Sequence, residues 1–244
     1  MNDLYLNLMK RALMGYLDSS MDGLDSARRD DGNYSQELGT GAFTMIGRTR
    51  LDSLQHQVET VIKEDIPGDL IECGVWRGGA AIFMRAILKA YGDTKRTVWV
   101  ADSFQGLHPP DYDKFPDEQR NPRIPLWEQS WLRISLEEVK RNFERYELLD
   151  NQVKFLEGWV EKTLPIAQID SLAVMRLDVD MYEPTSVCLK SLYPKLSAGG
   201  FCDLDDYGIM ASVVKAVDDY RSQMGITEDI TVVEGYTGAY WRKR

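Results

Sequence analysis

Pro67-Gly68-Asp69-Leu70-Ile71-Glu72-Cys73-Gly74-Val75-Trp76-Arg77-Gly78-Gly79 begins as a helix stop and becomes a strand. Residues 69–73 read as a buried strand, 74–79 as a glycine-rich turn, and 80–89 as the helix that follows. The same alternation continues downstream. Strands are predicted at 97–101, 153–156, 171–177 and 200–204, and helices at 136–146, 185–193 and 212–224. Ser135-Leu136-Glu137-Glu138 carries the Ser-x-x-Glu pattern of a capping box at the start of one helix. Residues 230–234 and 239–241 flank a glycine-bearing turn and read as a terminal β-hairpin. Such alternation predicts a doubly wound, mostly parallel α/β sheet covered on both faces, with the hairpin adding one antiparallel edge strand.

Upstream of the sheet the pattern is helical. Residues 4–17 place Leu, Met and Tyr at helical intervals, and 43–63 put Met45, Leu51, Leu54, Val58, Val61 and Ile62 on one side. Between them, 19–40 is rich in Asp, Ser, Gly and Arg. A loop of that length is uncommon inside a compact domain unless it has a function. Residues 1–66 are therefore expected to form an N-terminal helical extension and lid, and 67–244 the catalytic domain. A second cover is expected in the polar, proline-rich stretch within 107–132.

Charge limits the partners. The 244 residues hold 39 acidic against 29 basic side chains, a formal net charge of −10. Nucleic-acid and anionic-membrane surfaces need clustered Lys and Arg, so neither is an expected partner. Cys73, Cys188 and Cys202 are well separated, lack metal spacing and lie in apolar contexts, which fits free buried thiols in a reducing cytoplasm. No signal peptide and no membrane-spanning segment are expected.

Two acidic clusters follow strands: Met175-Arg176-Leu177-Asp178-Val179-Asp180-Met181-Tyr182 and Asp203-Leu204-Asp205-Asp206-Tyr207. Acids at strand ends of an open α/β sheet sit where such sheets bind ligands. Converging carboxylates repel, and burying them is costly without a cation or proton. A divalent metal with oxygen ligands satisfies that demand; capping of the following helices is the plainer alternative. Glu72 and Asp102 end the first two strands. With the glycines between them they suit an adenosine-containing ligand, Asp102 accepting the ribose hydroxyls. The turn departs from the Gly-x-Gly-x-x-Gly dinucleotide fingerprint. Trp159, after the third strand, is either core or a stacking platform for a base. His56 and His108 show no metal spacing; His108 remains open as a base.

Together, residues 67–79, Val98-Trp99-Val100-Ala101-Asp102-Ser103-Phe104-Gln105-Gly106, both acidic clusters, Thr44-Met45-Ile46-Gly47, Arg50-Leu51-Asp52, Gly158-Trp159 and Gly238-Ala239-Tyr240-Trp241-Arg242 resemble the macrocin O-methyltransferase family. The resemblance covers most of the chain. It implies a class I S-adenosylmethionine (SAM)-dependent methyltransferase fold and Mg²⁺-assisted O-methylation of a sugar hydroxyl on a glycosylated small molecule. By the same resemblance, Asp178, Asp205 and Asp206 match metal ligands and Asp180 the general base. Thr44, Met45, Glu72, Gly74, Asp102, Ser103, Gly158 and Trp159 match the SAM site. A homodimer is left open. Departures exist: Val179 replaces the glycine of the usual Leu-Asp-Gly-Asp, Asp203 is an extra acid read as a strand-face residue, and the loop 107–132 differs most. A phenolic or catechol acceptor, a nicotinamide-dependent oxidoreductase and a non-catalytic binding protein are the alternatives carried forward.

Overall fold

A computed structural model of the chain describes residues 2–17, 41–116, 118, 125–233 and 238–244. The lid expected at 19–40 lies outside them, as does part of the loop 107–132. Two helices precede the sheet, α1 (Asn2–Leu13) and α2 (Arg48–Lys63). Five parallel strands follow: β1 (Asp69–Cys73), β2 (Val98–Asp102), β3 (Val153–Glu157), β4 (Leu172–Leu177) and β5 (Leu196–Leu204). The helices between them are α3 (Gly79–Tyr91), α4 (Leu136–Arg145), the single turn α5 (Val160–Thr163) and α6 (Tyr182–Leu192). Helix α7 (Ala211–Met224) leads to β6 (Thr231–Val232) and β7 (Ala239–Arg242).

The sheet order is β3-β2-β1-β4-β5-β7-β6. The chain order reverses between β1 and β4, and that switch point opens a crevice at the strands' carboxyl ends. On one face α1 and α2 share an apolar cluster with α3 and α4, built on Leu6, Leu51, Val58, Phe83 and Phe143. On the other, Leu189 of α6 and Val213 and Val217 of α7 pack over Met175 and Trp241. All three cysteines are buried and free. Among the described residues no helix is long and apolar enough to cross a membrane.

The capping box forms on its serine side: Ser135 Oγ accepts the Glu138 N–H at 3.2 Å. Other boundaries move, for identifiable reasons. Helix α1 ends at Leu13 rather than 17, because Gly15 turns left-handed (φ +78°) against Gly41 and Ala42. Helix α2 starts at Arg48 rather than 43: the Phe43 carbonyl instead accepts the first N–H of α3, from Gly79, at 2.9 Å. Strand β5 begins at Leu196, so 197–199 belong to an irregular strand with a register shift rather than to a turn. The terminal hairpin adds two strands: β7 runs antiparallel to β5 and lies between β5 and β6, while β6, antiparallel to β7, forms the edge and runs the same way as β1–β5.

Candidate functional site

Register builds the centre of the site. Glu72 of β1 lies beside Arg176 of β4, and Arg176 beside Asp203 of β5. Side chains two residues apart on a strand share a face, so this acid–base–acid row points the same way as Gly74, Asp178 and Asp205 one step further on. The ladder continues past the strand ends: Asp178 N–H donates to the Cys73 carbonyl (2.8 Å) and Asp205 N–H to that of Leu177 (2.9 Å). Gly74 must be glycine, since a Cβ there would sit 1.7 Å from the Asp178 carbonyl oxygen.

Arg176, 3% exposed, is the hub. Its Nε donates to Glu72 Oε1 at 3.0 Å and its Nη1 to Asp203 Oδ1 at 3.0 Å. Its Nη2 donates to Asp178 Oδ2 at 2.8 Å and to Asp205 Oδ1 at 2.6 Å. Asp205 Oδ2 also accepts from Arg50 Nη1 (2.7 Å), and Asp203 Oδ2 from Gln57 Nε2 (2.6 Å). Asp203 is thus not an idle strand-face residue but one wall of the Arg176 socket. A guanidinium fork can serve several carboxylates at once, where an ammonium could not.

The acids outnumber these cations. Glu72, Asp178, Asp180, Asp203, Asp205 and Asp206 gather around Arg50 and Arg176, and one oxygen each from Asp178, Asp205 and Asp206 lies within 4.8 Å of the others. The excess of negative charge favours protonation of the acids that lack a cation. Burial, then the neighbouring Asp205 charge, raises Asp178 well above the carboxylate range, and burial with Asp180 and Asp205 does the same to Asp206. Asp180 is pushed up to about 8 by burial, Asp178, Asp205 and Glu118. Burial also acts on Asp205, but Arg176 and Arg50 outweigh it and hold Asp205 below its ordinary value. Three convergent carboxylate oxygens, one whose charge two arginines favour and two whose charge burial and repulsion penalise, are a donor set that fits a hard divalent cation.

The second half of the site is a pocket of about 830 Å³, counted to its open mouth. Glu72, Gly74, Asp102, Ser103, Asp178 and Asp180 line its strand-end side, Thr44 and Met45 another wall, and Trp159 with His108 a third. Glu72 is pushed up to about 7 by burial, against the pull of Arg176, and its buried Oε2 has no hydrogen-bond partner among the described residues. An unpartnered buried carboxylate oxygen is costly and fits a ligand ammonium. Asp102 does two things. Its Oδ2 accepts the Val75 N–H and its Oδ1 the Phe104 N–H, each at 2.7 Å, while it also faces the pocket. Gly158 does not line the pocket; with φ +132° it makes the turn that presents Trp159. Asp205 and Asp206 reach the pocket only through their cluster with Asp178.

Several residues escaped sequence reasoning. Arg176 was visible as a lone charge inside the apolar run Leu172-Ala173-Val174-Met175-Arg176-Leu177. Arg50 stood only within a segment that resembles the family, with no role attached, and Gln57 carried no local signal. Glu161 Oε1 lies 3.6 Å from His108 Nε2, an ion-pair distance, and this neighbouring carboxylate raises the His108 pKa; the His108 ring meets that of Trp159 edge-on at 5.2 Å.

Comparison with known proteins gives a consistent picture. Residues 2–243 match the family model described as Macrocin-O-methyltransferase (TylF). The chain is 48% identical to the 8-demethyl-8-(2,3-dimethoxy-alpha-L-rhamnosyl)-tetracenomycin-C 4'-O-methyltransferase of Streptomyces olivaceus, over 98% of this chain and 92% of that enzyme. It is 44% identical to the mycinamicin III 3''-O-methyltransferase of Micromonospora griseorubida, over 99% and 96%. Its fold superposes on the structure of the O-methyltransferase NovP with a TM-score of 0.92 at 42% identity, covering 100% of this chain and 99% of NovP.

Proposed function

Because the chain belongs to the macrocin-O-methyltransferase family and is an O-methyltransferase, we propose that it methylates a sugar hydroxyl of a glycosylated natural product, using SAM and Mg²⁺. The observation that carries this reading is the Asp178, Asp205, Asp206 cluster beside a pocket with an unpartnered Glu72 oxygen. Relatives named for methylating a rhamnosylated tetracenomycin and a mycinamicin support the sugar acceptor. Membership of this family removes the oxidoreductase and the non-catalytic binding protein. Residues 67–244 are the catalytic unit of this proposal; 1–66 supply Arg50 and the Thr44–Met45 wall.

SAM supplies an electrophilic methyl group on sulfur. Mg²⁺ supplies a Lewis acid that makes an alcohol more acidic. The chain's residues do the rest. Glu72 Oε2 takes the ammonium of the methionine part, and Asp102, with Ser103 beside it, takes the ribose hydroxyls. Trp159 flanks the adenine, while Thr44 and Met45 cover the methionine end. Asp178, Asp205 and Asp206 hold the cation, with Asp205 kept ionised by Arg50 and Arg176. Asp180 takes the proton from the acceptor hydroxyl. Orientation and exclusion of water account for much of the remaining acceleration.

The metal assignment is tested by heat as well as by turnover. Asp178, Asp180 and Asp206 bind protons more tightly folded than unfolded. Wherever the native state holds the extra protons, stability falls as pH rises. The metal-free protein should therefore lose Tm between pH 5 and 8. Mg²⁺ should restore more of it at pH 8 than at pH 5, since its ligands must be deprotonated. Turnover should vanish in EDTA and return with Mg²⁺. Full activity in excess EDTA, or a Tm indifferent to Mg²⁺ at pH 8, would remove the metal.

Asp102→Ala tests the cofactor side. Hydrogen bonds to charged groups are worth about 1.5–3 kcal/mol each, so affinity for S-adenosylhomocysteine should drop at least roughly tenfold. Tm should drop too, because the Val75 and Phe104 N–H groups lose their acceptor. A lower Tm with unchanged affinity in calorimetry would make Asp102 a turn cap alone.

A further inference from the structure

Helix α6 starts at Tyr182, two residues after Asp180. The first N–H groups of a helix have no partner within it. Most helices meet that need with a side chain at their own N-cap. The N-cap here is Met181, which offers none. The acceptor comes from 64 residues upstream: Glu118 Oε1 accepts the Tyr182 N–H at 2.5 Å. Glu118 is only 6% exposed. A carboxylate out of water needs compensation, and the N-terminus of a helix provides it.

Glu118 is not the only tie from this loop. Lys114 Nζ donates to Glu183 Oε1 at 2.6 Å, and the Phe115 ring packs on that of Tyr182 at 5.1 Å and 30°. Three side chains of the 107–132 loop thus fasten onto the first two residues of α6. At its other end, the same loop sets His108 against Trp159 and Glu161. It runs from the cofactor wall of the pocket to the turn that carries Asp180.

That turn needs holding. Asp180 has φ +61°, a left-handed conformation uncommon for a residue with a side chain. Such a conformation persists when its surroundings over-determine it. One hold is the Asp180 N–H on Asp206 Oδ2 at 3.1 Å; another is the start of α6 immediately after it. We propose that Glu118 is a positioning residue for methyl transfer. By capping α6 from the 107–132 loop, it fixes the Asp180 turn and docks residue 118 of that loop against it in one contact. The base and the loop that reaches the His108 wall of the pocket are thereby assembled together. The proposal rests on the reading of Asp180 as the base, so its test begins with measurements that need no acceptor.

Amide hydrogen exchange is followed in segments 108–116 and 180–186 of the full chain, for wild type, Glu118→Ala and Glu118→Gln. Loss of a helix cap should speed exchange at least about fivefold, and in both segments together. Affinity for S-adenosylhomocysteine should stay within about twofold of wild type, since its proposed contacts lie elsewhere. Glu118→Gln, whose amide oxygen still accepts, should recover most of the protection. With a rhamnosylated tetracenomycin as acceptor, kcat of Glu118→Ala should fall about tenfold or more, as misplaced reacting groups do. Wild-type exchange in Glu118→Ala would overturn the proposal. So would faster exchange in α6 alone with kcat unchanged, which is the signature of a merely structural cap. Should Glu118→Ala fail to fold, Glu118→Asp withdraws the carboxylate by one methylene and must show the same paired change; wild-type exchange in it would also overturn the proposal. An error in the base assignment is visible separately, as wild-type kcat in Asp180→Asn with the exchange results intact.

Discussion

Replacing Asp180 by asparagine lowers kcat by about 10²–10⁴, the usual contribution of a general base, while binding of S-adenosylhomocysteine and Mg²⁺ stays near wild type. The loss is equivalent to about 3–5 kcal/mol of transition-state stabilisation. Asparagine is the right probe because it tolerates the left-handed backbone that Asp180 adopts. It also leaves the backbone N–H free to keep its bond to Asp206. Size and turn are thus preserved and only basicity is removed. Burial, Asp178, Asp205 and Glu118 push Asp180 up to about 8 in the metal-free protein. A cation on the neighbouring acids relieves that repulsion and moves the value down. The base acts when deprotonated, so wild-type kcat should rise with pH through this ionisation and then level off. In Asp180→Asn that limb disappears, and the small residual rate should climb with pH as hydroxide substitutes for the lost base. If Asp180 only shapes the turn into α6, the two pH–rate curves will overlap at equal height, and Asp180 leaves the mechanism.

The strand–turn–helix at Asp69–Tyr91 was legible because its information is local. An apolar run, left-handed glycines and a helical period all lie within 25 residues. The acids at the ends of β4 and β5 were legible for the same reason: each follows its own strand. What stayed hidden depends on which strands become neighbours. Glu72, Arg176 and Asp203 lie more than 100 and 27 residues apart along the chain, and only the β1-β4-β5 order places them in one row. Asp203 consequently read as a residue without a role. The order β5-β7-β6 was hidden likewise, since a hairpin's pattern does not say which arm meets the sheet. The helical period that runs α2 back to 43 includes Met45, but the tertiary bond from the Gly79 N–H to the Phe43 carbonyl overrides it.

Arg176→Met should destabilise the metal-free protein by about 3–5 kcal/mol at pH 8, the cost of leaving buried partners of an ion pair uncompensated. The side chain it removes is 3% exposed and donates to Glu72, Asp178, Asp203 and Asp205. Methionine fills similar space, so little of the loss can be assigned to a cavity. The carboxylates themselves make the test specific. Burial raises Glu72, Asp178 and Asp203, so lower pH favours their neutral forms and a missing guanidinium then costs less, while Asp205, held low, stays charged. The difference from wild type in urea unfolding should accordingly shrink from pH 8 to pH 5. Mg²⁺ should recover part of it at pH 8 by neutralising Asp178 and Asp205, but none of what Glu72 and Asp203 lose. Arg176→Lys should fall between the two proteins, because an ammonium keeps the charge yet cannot reach four carboxylates from one stem. A difference below about 1 kcal/mol, or one indifferent to pH, would mean that the hub contributes only what a surface ion pair does.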